Sequence, residues 1–158
     1  MRAEINYIKG DATQPTAMGN KIIVHVCNDI GGWGKGFVIA ISKRWKEPEA
    51  EYWQWFKSHE NFGLGEVQFV KVGNDTWVAN LIGQHKINKD ENGNPPIRYE
   101  AIAVGLEKVA DFAGEIGASV HMPRIGCGLG GGTWDRIEPL ITGVLIAKNI
   151  STTVYDFQ

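Results

Sequence analysis

The sequence predicts an α/β fold in which a mixed, mostly parallel sheet carries helices on both faces, and three observations lead there. Short β-branched runs alternate with stretches of helical spacing. One pair of runs, Val67 to Val72 and Trp77 to Ile82, flanks Gly73, Asn74 and Asp75, residue types that supply a hairpin turn. Nine of the chain's 20 glycines fall in two clusters, Gly31, Gly32, Gly34 and Gly36, then Gly126, Gly128, Gly130, Gly131 and Gly132. Each cluster falls between a strand end and a helix start, which is where ligands gather in open α/β sheets.

Taken in order, Ile22 to Val26 (IIVHV) ends at Cys27 and Asn28 and reads as a buried strand. Phe37 to Trp45 is helical and ends before Pro48, and a second helix (PEAEYWQWFKSH) starts with Pro48 in its first turn. The hairpin pair should be antiparallel. Asp90 to Pro96 (DENGNPP) is polar and rich in turn formers, so a flexible surface loop is expected. From Tyr99 to about Ile116, Ala101, Ile102, Leu106, Val109, Ala110 and Ala113 recur at helical spacing. Ser119 to Met122 is strand-like, Thr133 to Lys148 helical with Thr133 as its cap, and Thr152 to Phe157 a closing strand. Trp45, Trp53 and Trp55 are expected to pack helices onto the sheet.

A length of 158 residues fits a single domain, 1–158, that buries roughly 70% of its unfolded surface. A formal net charge of -2 and a pI near 6.1 argue against nucleic-acid binding, which calls for a strongly basic face. Any phosphate must therefore be held locally. The start MRAEINYIKGD lacks a basic-then-apolar leader, two cysteines are too few for a disulfide framework, and a reducing cytoplasm is expected. No apolar run approaches the roughly 20 residues that span a bilayer, so no membrane partner is expected. Histidine and cysteine lack the paired spacing of zinc sites, so neither metal nor cofactor is expected.

The first glycine cluster, Asn28 to Phe37 (NDIGGWGKGF), lets backbone N–H groups approach an anion closely. It is not a Walker loop, since Lys35 is followed by Gly36 where Ser or Thr is required. The second, Gly126 to Trp134 (GCGLGGGTW), repeats the strand, loop and helix arrangement. Either alone reads equally as a tight surface turn; the pair suggests a diphosphate.

YIKGDAT, IIVHVCND with GGWGKGF, MPRIGCGL and the terminal VYDF together resemble the macrodomain family over essentially the whole chain. MPRIGCGL resembles the branch of the terminal ADP-ribose glycohydrolase, the chromatin-remodeller macrodomain and their stand-alone bacterial relatives. The resemblance implies a three-layer α/β/α sandwich, ADP-ribose as ligand and ADP-ribosylated proteins as partners. It places Asp11, beside Ala12, on the adenine amino group, although a turn-capping aspartate is the other reading of that position. It wraps Gly32, Trp33, Gly34, Lys35, Gly36 and Phe37 around the diphosphate and distal ribose, and closes Gly126, Cys127, Gly128, Leu129 and Gly130 over the phosphates, mostly through backbone donors. Phe157 stacks on adenine or packs in the core.

The related glycohydrolase uses a lysine before its flexible loop and an aspartate in its second glycine loop, and here Gln84 and Gly130 stand at those places. A covalent lysine route is thus closed, and a hydrolase would have to position water. Candidates are Asn28 and Asp29 at the mouth of the first loop and His85 at a strand end, for which a solvated loop histidine is the other reading. His25 and Cys27 share a strand face, but a buried cysteine there is ordinarily inert. Cys127 is expected to be a contact residue, and Asp135 and Glu138 to sit in a helix's first turn, complementing its dipole.

The leading expectation is an enzyme that frees ADP-ribose from acidic side chains. A non-catalytic ADP-ribose reader is the alternative, favoured by the missing lysine and aspartate and disfavoured by the absence of a second domain. A phosphatase acting on ADP-ribose phosphate is the third.

Overall fold

The computed structural model describes residues 4–157; Met1 to Ala3, where any leader would begin, lie outside the described residues. Six strands form one sheet: β1 (Asn6–Lys9), β2 (Lys21–Asn28), β3 (Val67–Lys71), β4 (Thr76–Gln84), β5 (Ser119–Met122) and β6 (Thr152–Asp156). Their order across the sheet is β1-β6-β5-β2-β4-β3, parallel throughout except for β3, which runs antiparallel to β4 as the hairpin turn requires. β1 has no counterpart among the expectations from sequence, because its four residues are all exposed and give no buried alternation to read.

Alternation along the central strands sends side chains to two separate cores. Ile22 and Val24 of β2, with Ala79 and Leu81 of β4, face the core built with α3 (Tyr99–Ile116) and α4 (Trp134–Val144). Ile23 and Cys27, with Val78 and Ile82, face the core built with α1 (Phe37–Arg44) and α2 (Glu47–Ser58). The result is the expected three-layer α/β/α sandwich. Each fully buried isoleucine or leucine contributes about 1.5–3 kcal/mol relative to exposure.

Several local expectations change. The helix from Thr133 stops at Val144, and a 3-10 turn at Ile146–Lys148 follows. Thr133 occupies the cap with extended backbone, but its side chain makes no cap bond; its N–H donates to the Tyr99 hydroxyl instead. Glu138 lies beyond the first turn and accepts the Tyr7 hydroxyl proton. Trp45 and Trp55 pack against the α1–α2 core, whereas Trp53 is exposed on α2 beneath the Lys57 ammonium. The Asp90 to Pro96 stretch is exposed as far as Asn94, buried at Pro96, and closed upon itself: the Asp90 carboxylate accepts the N–H groups of Asn92 and Asn94, each at 2.9 Å. Among the described residues no helix is long and apolar enough to cross a membrane.

Candidate functional site

The C-terminal ends of β2, β4 and β5 open into a cleft with two adjoining chambers, one of about 190 Å³ and one of about 590 Å³. Val26, Lys35, Val38, Gln84 and Leu129 line both and form the waist between them. Gly36, Phe37, Gly126, Gly128 and Gly130 line the smaller chamber; Gly32, Gly34 and Gly131 line the larger. The two glycine loops thus face one another across a single space, and Leu129 Cδ1 lies 3.6 Å from where a Cβ on Gly36 would stand.

The first loop is shaped by Asn28. Its side chain donates to the Gly32 carbonyl at 2.9 Å and accepts the N–H groups of Ile30 at 3.1 Å and Gly32 at 2.9 Å. The buried Tyr52 hydroxyl completes the set. Both polar atoms of the Asn28 amide are thus engaged, so the residue staples the loop at the wall of the larger chamber. Trp33 is corrected as a lining residue: its ring is buried in the α1–α2 core and donates to the Ser42 hydroxyl at 2.8 Å, and the residue lines neither chamber.

Beyond Trp33 the loop is open to a ligand. Gly36 has φ 86, a conformation that glycine adopts without strain, and it leads into α1 with no side-chain cap. The N–H groups of Lys35, Phe37 and Val38 meet no protein acceptor among the described residues, nor do those of Gly128, Leu129 and Gly130 across the cleft. A helix N-terminus and a facing run of free amides make an anion cradle. No carboxylate lines either chamber, while Lys35, Lys89 and Arg124 do. Arg124 was not anticipated, although it lies within the motif MPRIGCGL. Asp156 holds its guanidinium with bonds of 2.6 and 3.2 Å, and it lies between the rings of Tyr7 and Trp134.

Gln84 is carried into the waist by a β-bulge: Cys27 pairs with Ile82 but Asn28 pairs with Gln84, so Gly83 is bypassed. Its carboxamide makes no side-chain bond to protein among the described residues.

Asp29 and His85 come together, but outside the cleft. The Asp29 carboxylate accepts His85 Nδ1–H at 2.7 Å and the Lys86 N–H at 2.7 Å, so the imidazole keeps Nε2 as its free acceptor when neutral. Asp29 is a clasp for the chain after β4. His85 lines an outer groove and neither chamber, so both are corrected as groups acting at the cleft.

Asp11, Ala12 and Phe157 lie apart from the chambers, at the corner where β1 and β6 end side by side, with Lys9 paired to Asp156. Burial works against ionisation of Asp11, yet bonds from the Thr13 hydroxyl and N–H outweigh it and lower its pKa. The turn-capping reading of Asp11 is therefore realised, and its second oxygen carries only a 3.2 Å bond from Gln14. Ala12 is buried and offers no side-chain contact. Phe157 is 81% exposed, which removes the core-packing reading.

His25 and Cys27 share a face 3.8 Å apart, and both are inert. Burial holds the imidazole of His25 neutral, with a pKa of about 4, and pushes the Cys27 thiol far up. Cys127 packs partly against the α3–α4 core and lines neither chamber; burial raises its pKa more than Arg124 lowers it. Among the described residues no group of three or more His, Cys, Asp or Glu could hold a metal ion.

The fold and the paired loops are those of a ligand-cradling α/β/α domain, and comparison with known proteins specifies which. No protein-family model matches the chain. A structure of a macrodomain protein from Streptomyces coelicolor is 55% identical, covers 97% of this chain and 99% of its own, and superposes with a TM-score of 0.87. A protein of unknown function from Bacteroides thetaiotaomicron is 61% identical over 98% of both chains, with a TM-score of 0.97. ADP-ribose 1''-phosphate phosphatase of Candida albicans is 30% identical over 85% of this chain and 89% of its own. The chain belongs to the macrodomain family. It also matches mouse chromodomain-helicase-DNA-binding protein 1-like at 34% identity over 97% of this chain, but spans 18% of that protein's length.

Proposed function

We propose that the protein binds ADP-ribose and hydrolyses ADP-ribosyl esters on acidic side chains of modified proteins. The observation that carries this reading is the cleft with two facing sets of unpartnered backbone N–H groups, three lining cations and no lining carboxylate. Such a space favours a dianionic diphosphate and disfavours neutral or cationic ligands. In support, relatives of the chain are named ADP-ribose 1''-phosphate phosphatase and, in cattle, ADP-ribose glycohydrolase OARD1, the latter 27% identical over 97% of this chain.

In this reading the diphosphate bridges the loops, the adenine reaches the corner of Asp11 and Phe157, and the distal ribose enters the larger chamber. Water adds to the anomeric carbon while the bond from that carbon to the ester oxygen breaks. The leaving group departs as a carboxylate, which is stable without a proton because its pKa is about 4, so no general acid is needed. The water's proton passes to the substrate's diphosphate or to solvent. Gln84, with a free carboxamide at the waist, orients the water as a neutral donor and acceptor. The same cleft fits a second reading, removal of a phosphate from ADP-ribose phosphate, which the similarity to the Candida enzyme supports.

The test is calorimetric titration with ADP-ribose, followed by assay of ADP-ribose release from a glutamate-modified protein and of phosphate release from ADP-ribose phosphate. Binding with ADP-ribose release supports the hydrolase. Binding with phosphate release alone replaces it with the phosphatase, binding without turnover leaves a reader, and no binding sinks all three.

A further inference from the structure

We propose that the groove outside the cleft, behind the wall formed by Ile87, Asn88 and Lys89, seats an acidic stretch of the polypeptide that carries the ADP-ribosyl ester. The proposal rests on the hydrolase reading. The groove encloses about 580 Å³ and shares those three wall residues with the larger chamber, so a chain joined to a ribose in the cleft has only this wall to cross.

Its charge favours an acidic occupant. Lys86 and Lys89 form no ion pair among the described residues. The Arg98 guanidinium also lines the groove; it donates to the carbonyls of Pro95, Pro96 and Ile97, which carry no full charge, and only the nearby Asp90 carboxylate offsets part of its own. Of the groove's two carboxylates, Asp90 is turned onto Asn92 and Asn94, and Glu91 alone is unengaged. Ile30 and Ile87, 45% and 44% exposed, supply apolar contact beside these charges.

The groove is also preformed. Lys86 has φ 61, a left-handed conformation that a lysine adopts only when its surroundings hold it. The hold is Asp29, which accepts both the Lys86 N–H and His85 Nδ1–H. The same carboxylate fixes the ring of His85, which also lines the groove. An acidic segment would therefore meet the groove's cations without first ordering the loop.

The experiment compares ADP-ribose release from a glutamate-modified protein with release from a small ADP-ribosyl ester, in wild type, Lys86→Glu and Glu91→Lys, two positions that line neither chamber. The expected result is a several-fold rise in KM for the protein substrate in Lys86→Glu and a fall in Glu91→Lys. Both effects should shrink at high salt, with the small ester and ADP-ribose affinity unchanged. Shifts of the same sign in the two variants, equal shifts for both substrates, or no shift overturn the groove assignment. If wild type releases nothing from either substrate, the hydrolase reading fails. The groove is then judged from the affinity of the same variants for the modified protein over free ADP-ribose, with the same signs required.

Discussion

The carboxamide oxygen of Gln84 lies 3.1 Å from the point where a Cβ on Gly130 would stand, and the Gly126 carbonyl oxygen lies 3.0 Å from the same point. These are the places at which the related glycohydrolase is understood to keep its lysine and aspartate, so the two positions face one another here as an amide and a bare backbone. Installing a side chain at 130 must displace either a flexible amide or the backbone of the second loop. Gly130→Ala is expected to weaken ADP-ribose binding at least tenfold, about 1.4 kcal/mol, with little change in Tm. Calorimetry beside thermal melting checks this, and unaltered affinity would mean that the waist tolerates more bulk than its geometry allows.

Asp11 caps the turn through one oxygen, which holds Thr13, and in the proposed reading its other oxygen receives the adenine amino group, so a single alanine substitution would confound the two roles. Asp11→Ala should weaken ADP-ribose binding by about 1–3 kcal/mol, the range for leaving a polar partner unpaired. Asp11→Asn can keep the acceptor that Thr13 needs while presenting an NH2 group to adenine. If it binds as well as wild type, the role of Asp11 is confined to the turn.

How much of this was legible depended on whether a residue's signal is local. The β2 run IIVHV, the αL-capped α3 and the hairpin were readable because period and turn chemistry are properties of neighbouring residues. β1 was not, since an exposed edge strand has no apolar alternation to read. The loops were visible as glycine clusters, but what Asn28 and Asp29 do was not. Asn28 is consumed by a turn four residues long, and Asp29 by partners 56 and 57 residues away. Trp33 was misassigned for a related reason: glycines on either side mark the backbone as loop, and nothing in them tells which way the ring turns. Arg124 sat in plain view in a quoted motif, yet its partner Asp156 lies 32 residues on.

Acid sensitivity follows from two buried histidines. Burial holds His25 and His121 neutral, with pKa values of about 4; for His121 the neighbouring Lys21 adds to the effect. An unfolded histidine titrates near 6.5, so between about pH 6.5 and 4 the unfolded chain binds more protons than the folded one. Stability from these groups is therefore fully present above about pH 6.5 and lost as pH falls toward 4. The aspartates with lowered pKa, such as Asp11 and Asp156, act below that window. Urea midpoints measured from pH 7.5 to 4.5 should fall steadily, and His121→Gln should flatten the slope. A flat wild-type profile would show that the imidazoles are not kept neutral.

Asn28 allows the catalytic and structural readings of one residue to be separated by measurement. Its amide ties Gly32 through both N–H and C=O and anchors Tyr52 beneath the loop. Removing it strands these buried groups, so Asn28→Ala should cost about 1–3 kcal/mol of stability, a fall in Tm of roughly 3–10 °C at this chain length, together with most of the ADP-ribose affinity. Asn28→Asp should be at least as damaging, because it keeps the acceptor but sets a partly buried carboxylate oxygen against the Gly32 carbonyl. The decisive pattern is which quantities move together. Loss of Tm and affinity in parallel identifies a staple whose removal unfolds the phosphate cradle. A variant that melts and binds like wild type but no longer releases ADP-ribose would instead return Asn28 to the group that acts on water, and the hydrogen bonds that now occupy it would have to open during turnover.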